Sequence, residues 1–296
     1  MSKNLFIDRR GALKNIFAIP TALAAFFAAQ FLGAWAFDSV AALLLELWGV
    51  TSKSLPYAPA WLRTCIASYS SLRMAFSGLT AASAMLLCAR FLLKKRIFAP
   101  WRHIASGAGI GSCLSALAFL ILYPTGCVRI MRASGIYPLA ELISFAGAAA
   151  AAFSAEALLG GFLCSASNIR SSWKKRIIFT ALGTVFYGLS APWSLPALMS
   201  VGAMSALCAL LYEKRSFWAA ASVRCFWAFC AHRVLGFSAN GVPGIFFETY
   251  PVSRDWLTGG DLGLESGWLC VLLFAAAALF VHRFIKNNPP EEKDPL

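Results

Sequence analysis

The sequence predicts an all-α, polytopic membrane protein with about eight transmembrane helices and with both termini in the cytoplasm. Of its 296 residues, 59% are hydrophobic and only 13% are charged, and the mean hydropathy is +0.68. Soluble domains carry about 25% charged residues. Windows of 18 or more nearly uncharged residues recur along the chain, which is typical of transmembrane helices. The basic residues also alternate between the two predicted sides of the membrane.

The apolar windows define eight predicted spans within one domain, residues 1–286. Their approximate bounds are 15–37, 72–92, 103–123, 140–163, 176–192, 194–212, 216–237 and 267–285. The first window is too long for a cleavable signal peptide, so we expect it to remain as a span. The polar end, residues 287–296, is expected to be a disordered cytoplasmic tail.

The orientation follows from the positive charges. Eight spans with cytoplasmic termini place 18 of the 26 Lys and Arg residues in cytoplasmic segments, seven near the opposite side and Arg224 inside the membrane. The net charge of +13 is therefore explained by membrane topology, and nucleic acid is not expected as a partner. We expect a multi-pass protein of the cell membrane, in a prokaryotic inner membrane.

Two of the segments that connect predicted spans are long, and each predicts local structure of its own. In residues 38–63, Asp38 and Glu46 reduce the apolar character, which predicts an interfacial amphipathic helix followed by a loop. Residues 238–267 are rich in glycine and proline and predict a solvated, re-entrant or lid-like loop. We expect His232 to lie at the membrane interface.

Two ionisable residues lie deep in predicted spans, Glu156 in the fourth and Arg224 in the seventh. Charges inside a membrane face the bundle interior or a wet cavity and pair where they can. Small residues flank both, which favours close helix contact. We therefore predict that Glu156 and Arg224 pair directly. The alternative is that each reaches the interface or a water molecule separately.

Four segments in order resemble the CPBP intramembrane proteases, the CAAX-processing and bacteriocin-immunity type also called the Abi family. They read FSAEALLGGFL, TALGTVFYGLS, ALCALLYEKRSFWAAASVRCFWAFCAHRVLGF and LTGGDLGLESGWLCVLLF. The family's motifs are E-E-x-x-x-R, F-x-x-x-H and H-x-x-x-N, followed by a Gly-Gly…Gly-Leu-Glu stretch. The resemblance covers about residues 140–280.

The resemblance implies that most catalytic positions are substituted. The glutamate that activates water in the family corresponds to Ala155, and the second glutamate is retained as Glu156. The arginine of the first motif corresponds to Gly160, and the histidine of the second corresponds to Ser190. In the third motif, Arg224 replaces the histidine and Ala228 replaces the asparagine.

Three functions remain open. The first is a non-catalytic relative that binds a membrane peptide, a lipid or a prenylated partner. The second is an active intramembrane endopeptidase with Glu156 as general base and with Ser190 and Arg224 as oxyanion donors. The third is a small transporter subunit. We expect neither a cofactor nor a metal, and we expect membrane lipids as partners.

Overall fold

The structure is a computed structural model, and it is mostly helical, at 84%. It describes residues 15–49, 57, 59–93, 101–132, 138–167, 169, 171–189, 191–214, 217–237 and 246–287. The predicted tail therefore lies outside the described residues, except for Asn287, the last residue of the last helix.

The described residues form eleven α-helices, two π-helical segments, two short 3-10 helices and two strands. The α-helices are α1 (Asn15–Leu47), α2 (Ala60–Ala67), α3 (Tyr69–Leu92), α4 (Trp101–Leu122), α5 (Pro138–Glu156), α6 (Cys164–Ala166), α7 (Ser172–Gly188), α8 (Leu195–Lys214), α9 (Phe217–Ala228), α10 (Asp255–Thr258) and α11 (Trp268–Asn287). The π-helical segments are Ala157–Leu163 and Phe229–Val234. The 3-10 helices are Gly260–Leu262 and Leu264–Ser266, and the strands are β1 (Val128–Arg132) and β2 (Phe247–Pro251).

Among the described residues, five helical stretches are long and apolar enough to cross a membrane, which is the character of a membrane protein. They are Phe17–Leu47, Tyr69–Leu92, Arg102–Leu122, Leu139–Ala166 and Leu195–Tyr212. The other three predicted spans also overlap helices, but the apolar helical parts of these spans are shorter. The α7 helix has 17 residues, α9 changes to π-helix after 12 residues, and the apolar part of α11 is the short stretch Trp268–Phe284.

The prediction for residues 38–63 is wrong in its first part, because α1 does not end near residue 37. It continues to Leu47, past Asp38. On α3, Arg73 donates from Nε to Asp38 over 2.9 Å, and the Tyr69 hydroxyl donates over 2.6 Å. These partners satisfy the carboxylate, so the helix does not have to end at the acidic residue. The separate helix in this region is α2, which begins later, at Ala60.

The all-α prediction also omits a small sheet. Strands β1 and β2 pair antiparallel, with Val128 opposite Pro251 and Arg132 opposite Phe247. Both segments contain β-branched or aromatic residues, but strands separated by more than a hundred residues leave no pairing signal in the sequence. The sheet fixes the loop that follows α9 against the loop that follows α4.

Glycines allow α9, the helix that carries Arg224, to pack closely on α4. A Cβ atom on Gly111 would come within 2.9 Å of the Trp227 backbone nitrogen, and one on Gly107 within 2.8 Å of the Ser222 Cβ. Small residues at such spacing let helix backbones approach closely in membranes. The buried cluster around this contact includes Leu114.

An ion pair joins the π-helical segment that continues α9 to α5. The Arg233 guanidinium binds both carboxylate oxygens of Glu141, with Nε 2.8 Å from Oε2. Glu141 lies in the first turn of α5, where a negative charge is favourable to the helix dipole. Packing on α4 and pairing with α5 therefore hold α9 on two sides.

We predict that Gly111→Ala destabilises the protein by about 1–3 kcal/mol, because the added methyl group meets the α9 backbone. Thermal unfolding in detergent measures this change. Gly109→Ala is the matched control, since a Cβ atom at Gly109 meets no atom within 4 Å. Equal stability of the two variants would contradict this account of the α4–α9 contact.

Candidate functional site: a buried carboxylate beside a cavity

Glu156 and Arg224 form a buried ion pair. The Arg224 Nε lies 2.6 Å from the Glu156 Oε1. The Glu156 side chain is 0% exposed and that of Arg224 is 12% exposed. The direct pair predicted from the sequence is therefore confirmed, and the alternative of two separately satisfied charges is wrong.

Two tyrosines complete the coordination of the carboxylate. The Tyr187 hydroxyl donates to Glu156 Oε1 over 2.8 Å, and the Tyr212 hydroxyl donates to Oε2 in a short hydrogen bond. Arg224 also donates from Nη2 to Ser205 Oγ over 3.0 Å, and its Cζ lies 3.7 Å from the centre of the Tyr187 ring. Two hydroxyl donors, one hydroxyl acceptor and a cation–π contact thus surround one carboxylate–guanidinium pair.

The helix that carries Glu156 changes geometry directly after this residue. The α5 helix ends at Glu156, and the next seven residues, Ala157–Leu163, form a π-helix. The α9 helix changes in the same way after Ala228, one turn beyond Arg224. Single π-helical turns occur often at functional sites, because they shift the side chains that follow.

Gly160 provides the space for one of the tyrosines. A Cβ atom at Gly160 would overlap the Tyr212 ring and come within 2.9 Å of the Phe217 Cβ. No larger residue fits at this position unless Tyr212 moves. Tyr212 comes from α8 and packs against the clusters on both sides of the site.

A cavity of about 460 Å³ lies beside the ion pair. Its wall includes Ala155, Arg224 and Ala228, three of the positions singled out by the motif comparison, together with Tyr187. The structure therefore brings these positions together around one space, which residues of α1, α3, α8 and α11 also line. Ser190 lies outside the described residues.

A second polar group lies on the same cavity wall. The Trp227 indole N–H donates to Glu265 Oε1 over 2.9 Å, and His232 Nε2 lies 3.3 Å from the same oxygen. His232 Nδ1 lies 2.5 Å from the Phe237 carbonyl oxygen. Since both neighbours of the imidazole are acceptors, an ionised Glu265 requires His232 to donate from both nitrogens.

Glu265 precedes the last predicted span, and several groups act on its ionisation. Partial burial raises the pKa of Glu265, whose side chain is 42% exposed, but the hydrogen bonds from His232 and Trp227 and the positive charges of His232 and Arg224 outweigh this effect. They lower the pKa to about 2. The Glu265 carboxylate is therefore negatively charged at neutral pH.

The Glu156 and Arg224 side chains are better suited to hold charge than to transfer a proton. Both oxygens of Glu156 accept hydrogen bonds from protein donors, and the side chain has no exposed surface. Arg224 keeps its proton at any ordinary pH, so it cannot serve as a general base. Among the described residues, no group of three or more His, Cys, Asp and Glu could hold a metal ion.

No protein-family model, curated protein or solved structure matches this chain.

The sequence predicted the two charged residues of the site but not the uncharged residues that form hydrogen bonds with them. Tyr187 and Tyr212 lie in apolar helices, where a tyrosine fits the pattern as well as any aromatic residue. Ser205 is one of many serines. The only sequence signal for these donors is the charge pair itself, because a buried carboxylate requires several hydrogen bonds.

We predict that Glu156→Gln and Arg224→Met each destabilise the protein by about 3–5 kcal/mol, because each leaves one buried charge without its partner. The double variant should lose much less than the sum of the two single losses. Thermal unfolding of all four proteins in the same detergent measures the coupling.

The half-exposed pair Asp38–Arg73 supplies the control. Its side chains are 39% and 48% exposed, so the same cycle with Asp38→Asn and Arg73→Met should give a coupling below about 1 kcal/mol. Equal coupling energies for the two pairs would contradict the structural role of the buried pair.

Proposed function

We propose that this protein is a non-catalytic, membrane-embedded binding protein, related in architecture to the CPBP intramembrane proteases. One observation carries the proposal. Glu156, the one glutamate that the chain retains from the family's first motif, is fully buried, and its carboxylate is occupied by Arg224, Tyr187 and Tyr212. A carboxylate in this state stabilises the fold and has no surface on which to activate a water molecule.

The chemistry of peptide hydrolysis supports the same proposal. Hydrolysis needs a base within hydrogen-bond reach of a water and donors that stabilise the oxyanion. At the cavity wall, the position of the activating glutamate is Ala155, which carries no polar group. Arg224 can donate hydrogen bonds but cannot accept a proton. The Glu265 carboxylate on the same wall is exposed, but its pKa is lowered to about 2, so it is a weak base. A hydrogen-bond donor beside so weak a base fits binding better than catalysis.

For the membrane arrangement we propose eight spans with both termini in the cytoplasm of a prokaryotic cell. The distribution of the positive charges supports this orientation. The helices of the three shorter predicted spans, α7, α9 and α11, have 17 residues or more when the π-helical continuation of α9 is included. Local thinning of the bilayer and snorkelling of flanking residues accommodate short spans.

The cavity is the proposed binding site. A volume of about 460 Å³ lies within the range of small-molecule sites, roughly 300–1,000 Å³. Most of its wall is apolar, and the charged residues of the wall are Arg224 and Glu265. We propose that it receives part of a membrane peptide, a lipid or a prenylated partner.

We expect purified protein to cleave no member of a library of membrane peptides, and Glu156→Gln to leave this result unchanged. Mass spectrometry of the incubated peptides measures cleavage, and Glu248→Gln serves as a control outside the cavity. Turnover that is present in the wild type, present in Glu248→Gln and absent in folded Glu156→Gln would overturn the non-catalytic proposal.

A further inference from the structure

Two opposite charges lie on one side of the cavity. Arg224 and Glu265 both belong to its wall. Trp227 lies one turn after Arg224 on α9, also lines the cavity, and its indole N–H binds Glu265. The positive and the negative group therefore line the same cavity, with Trp227 next to Arg224 on the helix and hydrogen-bonded to Glu265.

Glu265 and Arg224 differ in how many of their polar atoms remain available to a ligand. The Glu265 side chain is 42% exposed, and both hydrogen bonds that it receives from described residues end on Oε1. Its second oxygen has no donor among the described residues. Arg224 is 12% exposed, with Nε and Nη2 bound to Glu156 and Ser205, so it offers one edge of its guanidinium.

The charges around the cavity balance without a ligand. Glu156 is paired with Arg224, and Glu265 is paired with His232. A ligand with a net charge would add a charge that no unpaired group among the described residues of the cavity compensates, in an apolar setting. A ligand that carries both signs would meet both exposed groups and leave the balance unchanged.

The remaining wall restricts the ligand further. Phe186, Phe274, Met74 and Met204 also line the cavity. Apolar and aromatic side chains of this kind favour the hydrocarbon portion of an amphiphile. The ligand therefore combines a compact, doubly charged head with an apolar portion.

We infer that the cavity binds the zwitterionic headgroup of a primary-amine phospholipid, with the ammonium on Glu265 and the phosphate beside Arg224. This inference rests on the proposed binding function and gives it a ligand class. A primary ammonium has three N–H donors for a carboxylate oxygen, whereas a quaternary ammonium has none. A charge-assisted hydrogen bond of this kind is roughly twice as strong as a neutral one.

The test is a binding measurement on delipidated, full-length protein in detergent. The probes are short-chain phosphatidylethanolamine, phosphatidylcholine and phosphatidylglycerol, with native mass spectrometry as readout. We expect phosphatidylethanolamine to bind about tenfold more tightly than the other two lipids. Glu265→Gln should abolish that preference, because an amide oxygen carries no charge, while Glu248→Gln on β2 should retain it.

A second variant separates the inference from the proposed function. Ala152→Phe places a ring in the cavity, whereas Ala146→Phe on the same helix adds it to an exposed position. If Ala152→Phe weakens the binding of all three lipids but none is preferred, the headgroup inference fails and the binding function stands. If Ala152→Phe changes nothing, both fail.

A peptide is the competing ligand, because its N-terminus also carries a primary ammonium. If a free-amine peptide displaces the lipids and its acetylated form does not, while phosphatidylethanolamine shows no preference, the inference is overturned in favour of a peptide. Thermal unfolding of each variant checks that loss of binding is not loss of fold.

Discussion

The buried carboxylate of Glu156 is the constraint on which this structure depends. An ionised carboxylate without solvent is unfavourable by several kcal/mol unless charge and hydrogen bonds compensate it. Here the compensation comes from three different helices: Tyr187 from α7, Tyr212 from α8 and Arg224 from α9. Since no single helix can satisfy the group, the four helices must converge at one point, and this convergence shapes the wall of the cavity.

The same pair explains why an arginine is kept in an apolar helix. Arg224 neutralises Glu156, reaches Ser205 on α8 and covers the face of the Tyr187 ring, so its charge is used in three contacts. Lysine could not reproduce them, because its ammonium lacks the planar fork of the guanidinium. Arg224, an isolated charge in an apolar helix, therefore connects α5, α7 and α8.

The sequence predicted helices at all eight apolar windows and the pairing of the two deep charges, because hydropathy and isolated charge are local signals. It did not predict the extension of α1 past Asp38, since that depends on Tyr69 and Arg73 from another helix. It did not predict the β1–β2 sheet, since the two strands are distant in the chain. The tyrosines of the site and Glu265 were missed for the same reason: their roles exist only after the helices have packed.

Hydrogen exchange at the Arg224 Nε–H tests the central claim most directly. Selective ¹⁵N-arginine labelling in detergent micelles gives this resonance, which loss of the signal in Arg224→Met assigns. A buried N–H that donates to a carboxylate is protected from solvent, so the account predicts slow exchange in the wild type and faster exchange in Glu156→Gln. Rapid exchange in the wild type would mean that water reaches the pair, and it would contradict a sealed, structural Glu156.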